Sequence, residues 1–215
     1  YFKNIVNKFS NFIKKSHDIL ELGSYYGAFG SEIKDKVNTY TGVELSSHAC
    51  DYAKKKFYLN VQNTSIYNFF EINQNKFDII FMFDVLEHLD DPSSILNLCS
   101  KNLKTNGILI FSTMNMNSLM AKATGKYYPW IIPMHKFYFT NYSMKKYLEK
   151  NNFQLDKTVN DVRVVSLDYL FLKLSHKISI FKYLHRFIIK FNFLKNFKIK
   201  FSLFDINIYC ASLKG

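Results

Sequence analysis

The sequence contains little glycine, proline and cysteine for its length. Its 215 residues include seven glycines, three prolines and three cysteines. Cys50, Cys99 and Cys210 are far apart and odd in number, which argues against a disulfide framework or a zinc knuckle and indicates a reducing compartment. No apolar run approaches the ~20 residues that span a bilayer, and no signal peptide is visible. We therefore expect a cytoplasmic protein with a single domain over residues 1–215.

Positive charge is concentrated towards the C-terminal end of the chain. Residues 166–215 hold nine basic and two acidic residues, a net charge of +7 out of the total of +12. The chain is also rich in Lys, Asn, Ile, Phe and Tyr, the residues that AT-rich genomes encode, so charge alone is weak evidence for a nucleic-acid partner. Arg163 and Arg186 are the only arginines. Because arginine is the preferred residue for phosphate and base contacts, nucleic acid is disfavoured.

Apolar strand-like segments alternate with helical patterns, which predicts a doubly wound α/β fold with a mostly parallel sheet. The continuous apolar run "FDIIFMF" is typical of a central strand buried on both faces. The predicted strands are Ile19–Leu22, Tyr40–Leu45, one at Val61, Phe77–Phe83, Ile108–Thr113, one within Phe153–Val165, and Phe204–Ala211. The predicted helices are Ala28–Lys36, Ser47–Phe57, Pro92–Asn102 and Asn141–Lys150.

Three of the seven glycines lie in "ILELGSYYGAFG", between the first predicted strand and its helix. Gly23 would permit the tight turn, Gly27 would let the backbone approach a ligand, and Gly30 would let the helix pack on the sheet. Glu44 ends the next strand, 21 residues after Gly23, where a carboxylate can accept both ribose hydroxyl hydrogens. Dinucleotides and S-adenosylmethionine share this arrangement; a plain strand–turn–helix with glycines for packing is the alternative.

The spacing and charge of this loop separate the two cofactor classes. Its pattern is G-x-x-x-G-x-x-G, whereas a dinucleotide fingerprint is G-x-G-x-x-G. Glu21, two residues before the first glycine, can meet a positive amino group and would repel a pyrophosphate. The sequence therefore favours S-adenosylmethionine and leaves a nucleotide-dependent oxidoreductase, or a non-catalytic protein with the same fold, as alternatives.

Five stretches occur in an order that carries a family resemblance: "ILELGSYYGAFG", "GVELSSHACDYAKKKF", "FDIIFMFDVLEHLDDP", "LKTNGILIFSTMNMNS" and "YPWIIPMHKFYFTNYSMKKYLEKNNF". Together they resemble the class I S-adenosylmethionine-dependent methyltransferases. The nearest branch includes the ubiquinone-pathway O-methyltransferases and bacterial enzymes from surface-glycan gene clusters. The resemblance covers roughly residues 15–165 and the last strand. It implies a seven-stranded sheet of order 3-2-1-4-5-7-6, whose last strand is antiparallel and follows a helical insertion.

The resemblance also implies cofactor contacts at eight positions. These are, in chain order, Glu21, Gly23, Gly27, Glu44, Leu45, Ser65, Ile66 and Asp84. The first three would bind the methionine part of the cofactor, and the last would line the cleft near it. Glu44 would bind the ribose, Leu45 would lie against the adenine, and the two positions after the third strand would face the adenine edge. Two positions depart from the family: Tyr25 stands where Gly is common, and Ser65 where Asp is common.

The stretch "DVLEHL" and a distant histidine suggest three interpretations. Asp84 and Glu87 or His88 would share one face of a first helical turn. In the first interpretation, His88 or His135 is a general base for an acceptor hydroxyl. In the second, Asp84, Glu87, His88 and His135 bind a divalent cation, as similar Glu-x-x-Glu-His motifs imply. In the third, Glu87 and His88 only hydrogen-bond the loop, and Asp84 caps it.

The acceptor is less defined by the sequence than the cofactor. The methyltransferase resemblance implies O-methylation of a small, lipid-linked or glycan acceptor, with an RNA methyltransferase as the alternative. Five aromatic residues suggest a pocket for the acceptor, although they fit a protein core equally well: Tyr127, Tyr128, Trp130, Phe137 and Tyr138.

Residues 166–203 form a basic amphipathic insertion. Apolar residues recur there every three or four positions: Leu167, Leu170, Phe171, Leu174, Ile178, Phe181, Leu184 and Ile188. Basic residues populate another face: Lys173, Lys177, Lys182, Arg186 and Lys190. This pattern predicts an amphipathic helix, followed by the stretch "FNFLKNFKIKF", which is either more helix or a strand alternation. The helix either packs on the core with solvated lysines or lies on an anionic membrane surface at the inner face of the membrane. RNA binding is a third interpretation.

Overall fold

A computed structural model defines the fold for most of the chain. It describes residues 1–73, 75–128, 130–161, 163–175, 179–201 and 205–214. Side chains are described for these residues except 163–165, 169, 170, 173, 174 and 199–201.

A seven-stranded sheet forms the centre of the molecule, with the order β3-β2-β1-β4-β5-β9-β6. Its strands are β1 (Asp18–Leu22), β2 (Thr39–Glu44), β3 (Val61–Asn63), β4 (Phe77–Phe83), β5 (Leu103–Met114), β6 (Phe153–Asn160) and β9 (Ile206–Leu213). β9 is antiparallel to both β5 and β6, and the pairings among the first five strands are parallel. The predicted order 3-2-1-4-5-7-6 is confirmed, with β9 as the seventh strand.

Helices cover both faces of the sheet. They are α1 (Phe2–Lys8), α2 (Ala28–Ile33), α3 (Ser47–Phe57), α4 (Ile66–Ile72), α5 (Pro92–Asn102), α6 (Leu119–Thr124) and α7 (Asn141–Lys150). Side chains of β4 alternate between two buried clusters, because successive residues of a strand point to opposite faces. Ile79 and Phe81 pack with α1, α2 and α3, whereas Ile80 and Met82 pack with α4, α5 and α7. This double burial explains the continuous apolar run.

Local capping explains why α3 and α5 begin where the sequence predicts. Ser46 precedes α3 and its hydroxyl accepts a hydrogen bond from the Ala49 N–H at 3.3 Å. Asp91 precedes α5 and accepts from the Ser94 N–H at 3.1 Å. These side chains satisfy helix N–H groups that have no partner within the helix. The helix predicted at Ala28–Lys36 ends at Ile33 and continues as a 3₁₀ turn, and Phe204 of the predicted last strand lies outside the described residues.

The insertion differs in part from the structure that the sequence predicts. A two-stranded ribbon of β7 (Arg163–Ser166) and β8 (Lys198–Phe201) encloses three short helices, α8 (Leu167–Ser175), α9 (Ile180–Ile188) and α10 (Asn192–Asn196). The prediction of one continuous amphipathic helix was therefore wrong, whereas the stretch predicted as more helix or strand contains both α10 and β8. Phe171 of α8 packs against Phe181 of α9, with ring centroids 5.6 Å apart, so the helices pack on each other. Ile178 lies outside the described residues.

A band of exposed apolar side chains runs over α9 and the segment after it. Ile180, Leu184, Phe187, Phe191 and Phe193 are each at least 43% exposed. Apart from Ile188, the described side chains of α9 are not fully buried. Within the described part of the chain, we find no helix with the length and apolarity that a bilayer span requires.

Gly30 allows α2 to lie close to the sheet. A Cβ atom at this position would lie 2.5 Å from Cζ of Tyr40 and 2.8 Å from Leu59. We expect Gly30→Ala to lower the free energy of unfolding by ~1–3 kcal/mol, because a methyl group overpacks this buried contact. Urea unfolding measures the effect, with Ser31→Ala on the same helix as the control. Equal stability of the two variants would contradict the packing role assigned to Gly30.

Candidate active site

The glycines of the β1–α2 loop are required by backbone conformation and by packing within the protein. Gly23 and Gly27 have φ angles of +73° and +75°, which favour glycine. A Cβ atom at Gly27 would lie 2.6 Å from Leu59 and 2.8 Å from Ala53. These contacts within the protein account for a glycine at position 27, and the approach of a ligand to its backbone stays a prediction. The loop still lies at the carboxyl edge of β1, where ligands of such sheets bind.

Glu21 is buried beneath this loop. Its carboxylate is 3% exposed and accepts a hydrogen bond from the Tyr40 hydroxyl on the neighbouring strand. Burial raises the pKa of Glu21 to about 8, against the opposing effect of the Tyr40 hydrogen bond. Glu21 therefore lies beneath the loop where the methionine part of the cofactor is predicted to bind, and the Tyr40 hydroxyl holds its carboxyl group in place.

Glu44 ends β2 beside the same loop. Its two carboxylate oxygens accept hydrogen bonds from the backbone N–H groups of Tyr25 and Ser46, each at 2.8 Å. A carboxylate offers about four acceptor positions, so both oxygens retain capacity for ribose hydroxyls. Tyr25, which replaces the common glycine, adopts a φ of +45° and is 61% exposed. The strained tyrosine thus lies at the surface over this end of the site rather than in the core.

The positions predicted to meet the adenine differ in their exposure. Leu45 is 74% exposed, and its carbonyl accepts a hydrogen bond from the Asn63 side chain at 2.9 Å. Ser65 caps α4 by accepting from the Asn68 N–H at 3.1 Å, and Ile66 packs partly against the core. The adenine contacts remain predictions. Asn63 is the last residue of β3 and anchors the end of β2; the sequence analysis did not identify it.

Two polar residues at the end of β5 position the carboxylates that follow β4. The Ser112 hydroxyl donates to Asp84 at 2.7 Å, and the Thr113 hydroxyl donates to Glu87 at 3.0 Å. Asp84 has a φ of +52° and precedes the 3₁₀ turn at Leu86–His88. The predicted shared face of a helical turn was therefore wrong for Asp84. The sequence analysis did not identify Ser112 and Thr113; their polar side chains at the end of the apolar run "GILIFSTM" are the signal that could have pointed to them.

His88 and His135 lie side by side with ring centroids 4.6 Å apart. The Nδ1 atom of His88 is 3.0 Å from the Met134 carbonyl oxygen, and that of His135 is 2.7 Å from the Trp130 carbonyl oxygen. Because a carbonyl oxygen only accepts, each Nδ1 donates a proton to its carbonyl, and in the neutral form of each ring the lone pair is on Nε2. Burial lowers the pKa of His135, as does the neighbouring His88.

A cavity of about 190 Å³ lies next to these rings. It is lined by Asp84, Glu87, His88, Met114, Trp130, Ile132, Met134, His135 and Ile206. Its walls are thus mostly apolar and its titratable groups are two carboxylates and two imidazoles, the composition typical of a small-molecule site. The structure therefore brings together all four residues of the predicted histidine–carboxylate set.

Three of these four residues also meet the distance requirement for a metal site. Ligand atoms of Glu87, His88 and His135 lie within 4.8 Å of one another. A carboxylate oxygen and two imidazole nitrogens suit a transition metal such as zinc, and the hydrogen bonds from Nδ1 to carbonyls are typical of metal-bound histidines. Asp84 lines the same cavity but does not belong to this cluster.

Of the five aromatic residues predicted for the pocket, Trp130 lines the cavity. Its indole N–H donates to the Asp205 carboxylate at 2.9 Å, which holds the ring in place from the residue before β9. Tyr128 is buried and also donates to Asp205, so it belongs to the support of the pocket. Tyr127 is 73% exposed. Asp205 was missed in the sequence because nothing nearby marks it as a partner of Trp130.

Comparison with known proteins places this fold and site in a family. The family model described as "Methyltransferase domain" matches residues 1–158. The ubiquinone biosynthesis O-methyltransferase of Pasteurella multocida is 31% identical over 112 residues, which are 45% of this chain and 46% of that protein. The chain spans about half the length of the curated relatives it matches.

Solved structures show the same architecture at low sequence identity. An S-adenosylmethionine-dependent methyltransferase from Archaeoglobus fulgidus aligns with a TM-score of 0.63 and 18% identity, covering 98% of this chain and 92% of that one. The N-methyltransferase NodS of Bradyrhizobium japonicum, solved with S-adenosyl-L-homocysteine, aligns with a TM-score of 0.61 and 14% identity, covering 98% and 84%.

The fold is that of the doubly wound methyltransferases, with a carboxyl-edge loop, an acidic end to β2 and a cavity beyond β4. The chain belongs to the methyltransferase-domain family, whose model covers most of its length. The predicted class, an enzyme of the S-adenosylmethionine-dependent methyltransferases, is confirmed at the level of family and fold. The oxidoreductase alternative is thereby set aside.

Proposed function

We propose that this protein transfers a methyl group from S-adenosylmethionine to a hydroxyl oxygen of a small, largely apolar acceptor. The observation that carries the proposal is the cavity in which two imidazoles lie among apolar walls, next to the carboxyl edge of the sheet. The name of the Pasteurella relative supports an oxygen acceptor, since that protein is an O-methyltransferase.

The chain's own residues would supply orientation and one proton acceptor. When bound, S-adenosylmethionine would supply the methyl group: the acceptor oxygen would form a bond to the methyl carbon while the S–C bond breaks and its electron pair stays on sulfur. Nε2 of His88 or His135 would accept the hydroxyl proton, because Nδ1 of each ring already donates to a carbonyl. Trp130, fixed by Asp205, would hold the acceptor, and positioning would provide much of the rate.

Methyl transfer from isotopically labelled S-adenosylmethionine tests this proposal. The acceptor panel contains pairs of small aromatic and aliphatic compounds that differ only in a hydroxyl or an amine. We expect labelled product from the apolar hydroxyl compounds. Label on the amine partners alone would overturn the choice of oxygen, and label on RNA alone would move the acceptor to nucleic acid.

A divalent cation is the second candidate feature of this site, favoured by the cluster of Glu87, His88 and His135. These residues would hold the ion, which would polarise the acceptor oxygen and lower the pKa of its hydroxyl. In that case the two histidines serve as ligands, and the acceptor proton leaves to solvent or to Asp84.

Metal removal distinguishes the two roles of the histidines. If they act as a base, dialysis against a chelator should leave methyl transfer unchanged. If they are ligands, the chelator should abolish turnover, and Mg²⁺ or Zn²⁺ should restore it in wild type but not in Glu87→Ala. Cofactor affinity serves as the control, because the three residues of the cluster lie outside the predicted cofactor contacts.

The insertion supports a further part of the proposal, in which a lipid-linked acceptor is taken from an anionic membrane surface. The exposed apolar band of α9 and its continuation could enter the acyl boundary, while Lys182, Arg186 and Lys190 would meet anionic headgroups. No acidic residue occurs between Asp168 and Asp205, so the charge of the segment complements such a surface. Each basic residue near the membrane contributes about 1 kcal/mol.

Co-sedimentation with liposomes tests the membrane surface. We expect binding to vesicles that contain anionic lipid at low salt, and loss of binding at 1 M salt, where the Debye length is ~3 Å. Changing Lys182, Arg186 and Lys190 to Glu should abolish binding, whereas the same change at Lys54, Lys55 and Lys56 on α3 should have a smaller effect. If wild type fails to bind the vesicles at every salt concentration, the proposed membrane surface is wrong.

A further inference from the structure

Glu21 and Tyr40 form a buried pair beside two glycines, Gly30 and Gly42. Strand register places Glu21 opposite Gly42, and the Tyr40 ring extends along the same face of the sheet beneath α2. A Cβ atom at Gly42 would lie 3.0 Å from the Tyr40 hydroxyl oxygen, and one at Gly30 would lie 2.6 Å from it. Two glycines thus enclose the phenol whose hydroxyl donates to Glu21.

No described cation balances this carboxyl group. The groups that act on Glu21 are Tyr40, through its hydrogen bond, and Glu44, through its negative charge, and both belong to β2. Among the described residues of the other elements packed here, no lysine, arginine or histidine forms an ion pair with Glu21. A fully buried carboxylate without a cation is costly, so the neutral acid is favoured.

We propose that Glu21 is a proton-coupled carboxyl of the cofactor site and that Tyr40 is its positioning residue; this rests on the proposed use of S-adenosylmethionine. In the free protein near pH 7, Glu21 holds a proton. The cofactor brings a positive ammonium and a positive sulfonium to the carboxyl edge of β1, which stabilises the carboxylate. The Glu21 O–H bond then breaks, its electron pair stays on the carboxylate and the proton passes to solvent.

The sign of the pH dependence follows from this linkage. Protons compete with the cofactor cation for Glu21. The affinity for S-adenosylmethionine therefore rises with pH as long as Glu21 is protonated in the free protein. Below the pKa of Glu21, this affinity rises roughly tenfold per pH unit. It levels off near that pKa, which burial raises to about 8. The hydrogen bond from Tyr40 favours the charged form, so its loss moves the levelling point to higher pH.

Calorimetric titration at pH 7 in two buffers of different ionisation enthalpy counts the protons released on binding. We expect wild type to release close to one proton per S-adenosylmethionine. Glu21→Gln keeps the shape of the side chain but holds no titrating proton, so its release should be near zero. Proton exchange that persists in Glu21→Gln would assign it to another group, such as the cofactor's own ammonium, and would overturn the inference.

Tyr40→Phe tests the positioning role while it keeps the ring between Gly30 and Gly42. We expect its affinity to approach that of wild type at high pH and to fall further below it as pH decreases. A uniform loss at every pH would show a structural role only and would contradict the assignment. If wild type binds S-adenosylmethionine without releasing a proton, the inference fails and the proposed function stands; if wild type does not bind it at any pH, the proposed function fails.

Discussion

Replacing Glu44 with Ala should weaken S-adenosylmethionine binding by roughly 30- to 150-fold, which is about 2–3 kcal/mol. The variant removes a charged acceptor for two ribose hydroxyls. It also removes the acceptor of the Tyr25 and Ser46 N–H groups, so the loop over the site loses an anchor. Calorimetry gives the dissociation constant, and circular dichroism confirms that the variant is folded.

Glu44→Gln provides the matched control for this substitution. It retains one oxygen acceptor of similar position but no charge, so its affinity should fall between wild type and Glu44→Ala. An Ala variant that is folded and binds with unchanged affinity would remove Glu44 from the cofactor site. The ribose would then have to be held elsewhere, and the correspondence with the family would fail at that position.

At least one of the variants His135→Ala and His88→Ala should lower kcat by roughly 100-fold or more, and both should do so if the two rings bind a metal. Each substitution removes an Nε2 lone pair from the cavity, either as proton acceptor or as metal ligand, whereas the cofactor contacts predicted at β1 and β2 stay intact. Cofactor affinity should therefore change little. Single-turnover methyl transfer at saturating S-adenosylmethionine measures the effect on the chemical step.

Tyr138→Phe is the control for perturbation of the same loop. Tyr138 is half-exposed and its hydroxyl donates to the Ile132 carbonyl at 3.3 Å, so loss of this bond should leave kcat nearly unchanged. If neither histidine variant lowers turnover, both the base and the metal interpretations are wrong. If the histidine variants lose cofactor binding as well, the cavity and the cofactor site are not separable as we describe them.

The sheet and three of its helices were predictable because local and tertiary requirements agree there. β4 is buried on both faces, so its run of apolar residues is unambiguous. α3, α5 and α7 each begin at a side chain that caps the helix. α1 was not predicted, because its N-terminus has no capping side chain and only Ile5 and Val6 are buried.

The division of the predicted helix into α8 and α9 was not predictable, because no local signal marks it. No glycine or proline interrupts residues 166–203, so the apolar periodicity continues through the region between α8 and α9. The helices are instead arranged by contacts such as Phe171 with Phe181 and His185 with Asp168 at 2.8 Å. Pairings of this kind depend on the three-dimensional arrangement, which periodicity does not specify.

The site shows the same division between local and long-range information. The place of Glu44 and the glycine loop at the carboxyl edge of the sheet was predictable from spacing along the chain. Ser112, Thr113 and Asp205 were not, because each holds a side chain that lies at least 26 residues away in sequence. The tautomers of His88 and His135 likewise depend on carbonyl groups that the fold brings into contact.

Calorimetric titration of the wild-type chain with S-adenosylmethionine and, separately, with NADH tests the central claim most directly. The account predicts saturable one-to-one binding of S-adenosylmethionine that Glu44→Ala weakens, and no binding of NADH. Binding of NADH with no response to S-adenosylmethionine, or a folded protein that binds neither compound, would contradict it.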